Sequence, residues 1–378
     1  MRRPRRRTLA SYSAAWVRTG VLAVSLACSA RPPSARAAGV SWPEADALFH
    51  QDPRWLGADA AYSVDLGGGR VAWLFGDSFI ATSAANVRAE SKMVRNSVAV
   101  QTGLDPTRAR MSFAWGTSDA TAPVSFFPEA GEVWHWPGGG IRFPGGSLVV
   151  FLAREHGSSG GLGFESAGWE AVRVDNPDDD PGLWRLRWLV PPPQAFDAVV
   201  GSAVAVDGDH VVALATRANG VHWVYLARFP AASLGAGDLS GLEWWTGAGW
   251  TPATQVNSPA AVFDLDSATE ASFHFVSAIG SWLLVASRGF GASTIAIRTA
   301  PAVTGTWSDA ADAFTPPESL GPHPFVYAGK AHPELGTPDG SLAVTYATNS
   351  FQFGDLLSAD GQAKLYWPRF ARLTLVPR

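Results

Sequence analysis

One pattern limits what this chain can become: short apolar strands, tightly turned, that recur in sets from residue 59 to residue 376. The third set is the plainest, with strands at 199–206, 211–215 and 223–229 and a reversal at Asp207-Gly208-Asp209-His210. In the first set Tyr62, Val64 and Leu66 alternate with Ser63 and Asp65, the period-two pattern of a half-buried strand. Gly67-Gly68-Gly69 supplies backbone conformations that a Cβ disfavours, so the chain can reverse and run on as a second strand over 70–75. Sets at 59–103, 111–174, 183–229, 242–307 and 325–376 share one plan: strand, tight turn, strand, longer loop, strand. Gly or Pro interrupts almost every window long enough to hold a helix.

One such sheet cannot bury both of its faces, but several arranged radially can. Five sets in about 320 residues give roughly 60 to 65 residues each, a workable size for propeller units with loops on one face. The expectation is therefore an all-β, five-bladed β-propeller over 58–378, preceded by an N-terminal extension at 38–57 and a leader at 1–37. A large β-sandwich is the competing architecture, and its strands would not recur in sets.

The leader reading rests on charge. All eight basic residues before Ala38 are arginines and no acid lies among them. Arg2 to Arg7 form a basic region, 20–30 is a short apolar run, and Ala35-Arg36-Ala37 is a small-x-small cleavage site. The run is too short to span a bilayer, so an exported protein without a transmembrane helix is expected. Arg6-Arg7-Thr8-Leu9 also permits twin-arginine export. The single cysteine, Cys28, ends a Ser25-Leu26-Ala27-Cys28 stretch that resembles a lipoprotein cleavage box, so a lipid anchor there is the alternative to cleavage after Ala37. The body that follows has no cysteine and must be held by packing. It carries 21 basic against 33 acidic residues, an imbalance that argues against nucleic acid as a partner. A monomer is expected.

In a propeller the innermost strands run beside the central channel and their first residues line its mouth. Carboxylates are costly there unless paired, hydrogen-bonded or metal-bound. Asp59 precedes the first inner strand, Asp77 follows the second strand, Glu270 opens Ala271-Ser272-Phe273-His274, and Glu334 lies in His332-Pro333-Glu334-Leu335. Acids from separate blades meeting in one pocket suit glycosidic cleavage, in which one carboxylic acid protonates the leaving oxygen and another activates water or attacks the anomeric carbon. Taken one at a time, each acid has a simpler reading as a turn or cap carboxylate. His332 shares a strand face with Glu334 and could orient it, bind sugar hydroxyls, help hold a channel ion or serve structure alone. Arg95, Asn96 and Asn349 offer donors for hydroxyls or carboxylates and are equally ordinary turn anchors. Trp73, Trp223 and Trp282 read as core between blades. Trp134 and Trp136 lie near Gly-rich sequence, where an exposed ring could stack on a sugar. No cofactor is required by this chemistry, although calcium or another divalent ion in the channel, or at Asp178-Asp179-Asp180, is compatible with it. P-loop, dinucleotide, Gly-x-Ser-x-Gly and His-Glu-x-x-His motifs are absent.

At 72–78 (Ala-Trp-Leu-Phe-Gly-Asp-Ser), Arg95-Asn96-Ser97, 299–308, Ala331-His332-Pro333-Glu334-Leu335 and 345–350, the chain resembles a family of exported bacterial proteins known as a domain of unknown function. The resemblance covers about Ala58 onward, more loosely in the second and third sets. It implies a five-bladed propeller similar to furanosidases, some of whose relatives are endo-acting D-arabinan hydrolases. On that basis an α-linked furanoside in a polysaccharide or oligosaccharide is the implied substrate, with Asp59 or Asp77 as base or nucleophile and Glu334 or Glu270 as acid. A non-catalytic surface propeller that binds glycan or protein stands beside it as the second reading.

Overall fold

The structure, a computed structural model, describes residues 35–376 apart from positions 120, 220 and 267. Most of the expected leader, including Cys28 and its lipidation, lies outside the described residues. Among the described residues the architecture is all-β: five antiparallel sheets of four or more strands, two smaller sheets, and α-helices no longer than six residues. No described helix is long and apolar enough to cross a membrane.

The first sheet joins Tyr62–Gly67, Arg70–Phe75, Ser97–Thr102 and Arg110–Ala114 in that order. The second joins Val133–Arg142, Leu148–Gly157, Phe164–Val174 and Leu186–Leu189. Val199–Asp207, His210–Asn219 and Val221–Pro230 begin the third, which Glu243–Trp245 and Trp250–Pro252 extend. The fourth holds Ala271–Val276, Ser281–Arg288, Thr294–Ala300 and Ala311–Phe314. In the fifth, Phe325–Ala331, Leu342–Asn349 and Arg369–Val376 are completed by Arg36–Ser41 from the other end of the described chain.

The inner three strands of the first four sheets follow the sequence pattern and the outermost do not; in the fifth the first strand ends at Ala331, so His332 and Glu334 lie in the turn after it and not on one strand face. Arg110–Ala114, Leu186–Leu189 and Glu243–Trp245 fall where the sequence reads as the opening of the next set, yet each pairs backward. They are short, partly exposed and reached through longer loops, so period-two patterning is weak in them. The fifth sheet draws its outer strand from the leader–extension boundary: Arg36 and Ala37 stand in register with Val376 and Leu375.

Five apolar clusters explain why the sheets stand together, because each lies between two successive sheets. Val150, Leu152 and Val172 meet Val64, Leu74 and Val98 between the second and first. Phe151, Trp169 and Phe229 join the second to the third, and Leu214, Leu226, Phe273 and Leu284 the third to the fourth. Leu283, Val285, Val344 and Leu373 link fourth and fifth. Trp73, Phe75, Ala343 and Phe370 then join the fifth to the first, with Trp42, Phe49 and Trp55 of the N-terminal segment sealing that seam. Truncating one of these fully buried leucines to alanine costs about 2–5 kcal/mol. Trp73 and Trp282 are core as expected, whereas Trp223, near the start of the third strand of the third sheet, stands 41% exposed.

The inner strands approach one another closely on the axis. A Cβ on Gly138 would collide with the Gly201 carbonyl oxygen, and Gly201 itself adopts φ +105° against the Phe151 ring. Register shifts at Pro137/Gly140, Val200/Ala203 and Tyr327/Lys330 bulge three of these strands beside the axis. The last of them turns Lys330 toward the site described next.

Candidate active site

Asp59 sits on a turn between Trp55–Ala58 and the first inner strand. Its amide donates to the Asp77 carbonyl (3.4 Å) and its carbonyl accepts from Gly76 N (3.2 Å), so the two acid-bearing turns are bound together. Gly76 has to be small, because a Cβ there would strike the Asp59 carboxyl. Two phenols converge on Asp59 Oδ2: Tyr327 Oη donates at 2.8 Å and Tyr366 Oη at 3.1 Å. Ala60, Ala61, Ala328 and Tyr366 around this point all adopt left-handed φ values between 49° and 65°. Such backbone is costly away from glycine and persists only where the surroundings enforce it.

Asp77 accepts from Trp136 Nε1 (3.0 Å) and from Arg95 (3.3 Å), whose guanidinium lies 4.1 Å from the Trp134 ring centroid. Its side chain is 14% exposed. Glu270, at the start of the fourth inner strand, takes a 2.5 Å ion pair from Lys330 Nζ. Lys330 is 1% exposed, donates also to the Ala328 carbonyl (3.0 Å), and lies 4.2 Å from the Tyr62 ring centroid. A buried ammonium of this kind is tolerable only with a carboxylate against it.

Burial and mutual repulsion set the charges. Asp59 is pushed up to about 8, by burial first and then by the Asp77 and Glu270 carboxylates; the two phenols pull the other way. Asp77 is raised by burial only to about 6, because Arg95 and Trp136 stabilise its anion. Burial lowers the Lys330 ammonium, opposed by Glu270. The pair Asp59–Asp77 therefore gives up its protons in separated steps.

Of the residues singled out in the sequence, Asp59, Asp77, Glu270, Arg95 and Asn349 meet at this mouth, where Asn349 Nδ2 donates to Tyr327 Oη (3.2 Å). Glu334 does not join them. It lines a cavity of about 460 Å³ further along the axis with Asp65, Arg142 and His274, raised to about 7 by burial and bonded to Ser63. His332 also turns to Ser63, Nδ1 lying 2.5 Å from Ser63 Oγ and Nε2 2.7 Å from Thr345 Oγ1; it is held neutral by burial and by Lys330, at about 3. Tyr62 and Lys330 face both regions and divide them.

Asn96 is fully buried and spends its amide on backbone: Nδ2 on the Phe127 and His135 carbonyls, Oδ1 on Phe127 N. It ties the first sheet to the second and has no group left for a ligand. Asp178 is taken up by Arg70 and Arg142. Among the described residues no group of three His, Cys, Asp or Glu side chains has the arrangement of a metal site, and both His332 nitrogens are engaged. Lys330, Tyr327 and Tyr366 go unmarked by sequence reading. For Lys330 a signal exists, since a lysine in the strand Phe325–Ala331, otherwise apolar and small, demands a buried counter-charge.

A family model described as Domain of unknown function (DUF5005) matches residues 44–375. No curated protein matches the chain. Among solved structures, a candidate hydrolase from Bacteroides ovatus ATCC 8483 superposes with a TM-score of 0.71 at 18% identity, over 89% of this chain and 90% of that one, a likeness of fold. The catalytic domain of the Coprinopsis cinerea GH62 α-L-arabinofuranosidase superposes at 0.48 with 13% identity (91% and 98% covered). The Podospora anserina α-L-arabinofuranosidase, solved with cellotriose, gives 0.49 with 12% identity (92% and 98%).

Proposed function

We propose that this chain, which belongs to the DUF5005 family, is an exported five-bladed β-propeller that hydrolyses glycosidic bonds in an extracellular polysaccharide, an arabinofuranoside being the first substrate to try. The blade count is supported by the five apolar clusters, each between successive sheets. Export is supported by the arginine-rich leader.

A single observation carries the hydrolytic reading: the turns bearing Asp59 and Asp77 are hydrogen-bonded to each other, so two carboxyls raised by burial, Asp59 to about 8 and Asp77 to about 6, share one mouth. Between those values Asp59 is a carboxylic acid and Asp77 a carboxylate, the pairing that glycosidic cleavage needs. In the proposed mechanism the Asp59 proton passes to the leaving glycosidic oxygen as the C1–O bond breaks. Asp77 supplies the anion that takes a proton from the attacking water or bonds to C1 itself. Arg95 and Trp136 hold Asp77 in place. Glu270, held in place by its ion pair with Lys330, supports the positive charge that develops on the sugar ring. This moves the acid role from Glu334 or Glu270 to Asp59.

The test is release of oligosaccharides from arabinan and related glycans across pH. Turnover should follow a bell with limbs near 6 and 8, rising as Asp77 ionises and falling as Asp59 does. No release from a wide panel by a folded protein rules hydrolysis out. The Lys330–Glu270 pair favours the second reading, a glycan-binding propeller, because it withdraws one of three carboxylates from proton transfer. That reading expects saturable binding without product.

A further inference from the structure

A line of aromatic rings leads outward from the acids. Tyr327, whose phenol donates to Asp59, stacks on Phe325 with ring centroids 4.9 Å apart. Phe325 in turn stacks on Phe351 at 4.4 Å with planes 7° apart, and Phe290 leans on both at 5.7 and 5.5 Å. The outer two rings are open to solvent, Phe290 at 59% and Phe351 at 53%. They come from two different loops, 289–291 after the second strand of the fourth sheet and 350–352 after the second strand of the fifth. The Val326 amide donates to the Gly291 carbonyl (2.9 Å) and pins one loop to the start of the inner strand. The platform is thus built and continuous with the acid site rather than a scatter of single exposed residues.

We propose that Phe290, Phe325 and Phe351 form a distal subsite that stacks on a sugar ring one or more units away from the bond at Asp59, which makes the chain a reader of oligosaccharide length. This deepens the hydrolytic reading and rests on it. Size argues for a glycan over a protein. At about 200 Å² per aromatic side chain the platform exposes roughly 300 Å² or less, well below the ~1,000 Å² of a stable protein interface. A pyranose or furanose has an apolar C–H face of the scale of one ring and hydroxyls at its edge. Asn349 Nδ2, beside the platform, keeps one N–H beyond the one it donates to Tyr327, a donor for that edge.

The experiment measures binding of arabino-oligosaccharides of two to eight units by calorimetry, on an Asp77→Asn background so that no substrate is consumed. Affinity should rise with length, and Phe290→Ala/Phe351→Ala should lower it at least tenfold for the longer chains while leaving the disaccharide unchanged. Both substitutions are of exposed rings, so the melting temperature checks that the fold is kept. Equal affinity in parent and double variant, or an equal loss at every length, overturns the subsite even if wild-type protein cleaves arabinan. If no oligosaccharide of any length binds while wild-type protein still cleaves a short aryl arabinoside, the subsite alone fails; if neither occurs, the hydrolytic reading fails with it.

Discussion

The mouth and the inner cavity are two buried polar regions on one axis, built from the same inner strands and divided by Tyr62 and Lys330. Both hold carboxyl groups lifted by burial: Asp59 and Asp77 in one, Glu334 in the other. Their partners differ in kind. Around the mouth stand a guanidinium, an ammonium, an indole and two phenols. In the cavity Glu334 and His332 converge on the hydroxyl of Ser63, and Thr345 takes the other His332 nitrogen. Arg95 and Trp136 pull Asp77 back toward the ordinary carboxylate range, whereas Glu334 is raised by burial with the Ser63 hydroxyl pulling the other way. Left-handed backbone gathers at the mouth as well, at Ala60, Ala61, Ala328 and Tyr366. Depth alone does not make an acid chemically useful; the charge beside it does.

That contrast breaks first if the wrong region carries turnover. Asp77→Asn should lower the rate of glycan cleavage by about 10³-fold, within the range for loss of an acid–base group, with Glu334→Gln costing less than about threefold in the same assay. Comparable losses from both would erase the distinction. Lys330→Met should come next: it leaves the Glu270 carboxylate, 23% exposed, without its cation, and should cost less than the ~3–5 kcal/mol of breaking a fully buried pair. Denaturant unfolding would read this, and adding Glu270→Gln should restore most of it; failure to restore would mean Lys330 acts through packing instead.

A smaller effect concerns pH. Asp59 is protonated more readily in the folded protein than in the unfolded chain, so its ionisation works against the fold. Its contribution is intact at low pH and is lost progressively as pH rises from the ordinary carboxylate range to about 8. Asp59→Asn should therefore raise the melting temperature by a few degrees above pH 8, by less at pH 6, and hardly at all at pH 4. A pH-independent gain would place the cause elsewhere.

Three of the mouth acids are legible in the sequence because each marks a strand boundary: Asp59 before Tyr62, Asp77 after Gly76, Glu270 before Ala271. The pattern misplaces one strand: the fifth inner strand ends at Ala331, so Glu334 lies three residues past its end, whereas Glu270 immediately precedes the start of its own strand. Tyr366 left no trace at all, since it arrives from the loop after Ala359–Lys364 through a left-handed residue that no period describes. The outer strands were hidden for a related reason: short edge strands lack two buried faces, and alternation fades where burial does.

The pairing of Arg36–Ser41 with Arg369–Val376 bears on assembly. During synthesis the earlier strand waits for roughly 330 residues before its partner exists, which makes this contact among the most non-local the fold contains. Four sheets can form as they emerge, while the fifth is a latch that stays open until residues 369–376 have been made.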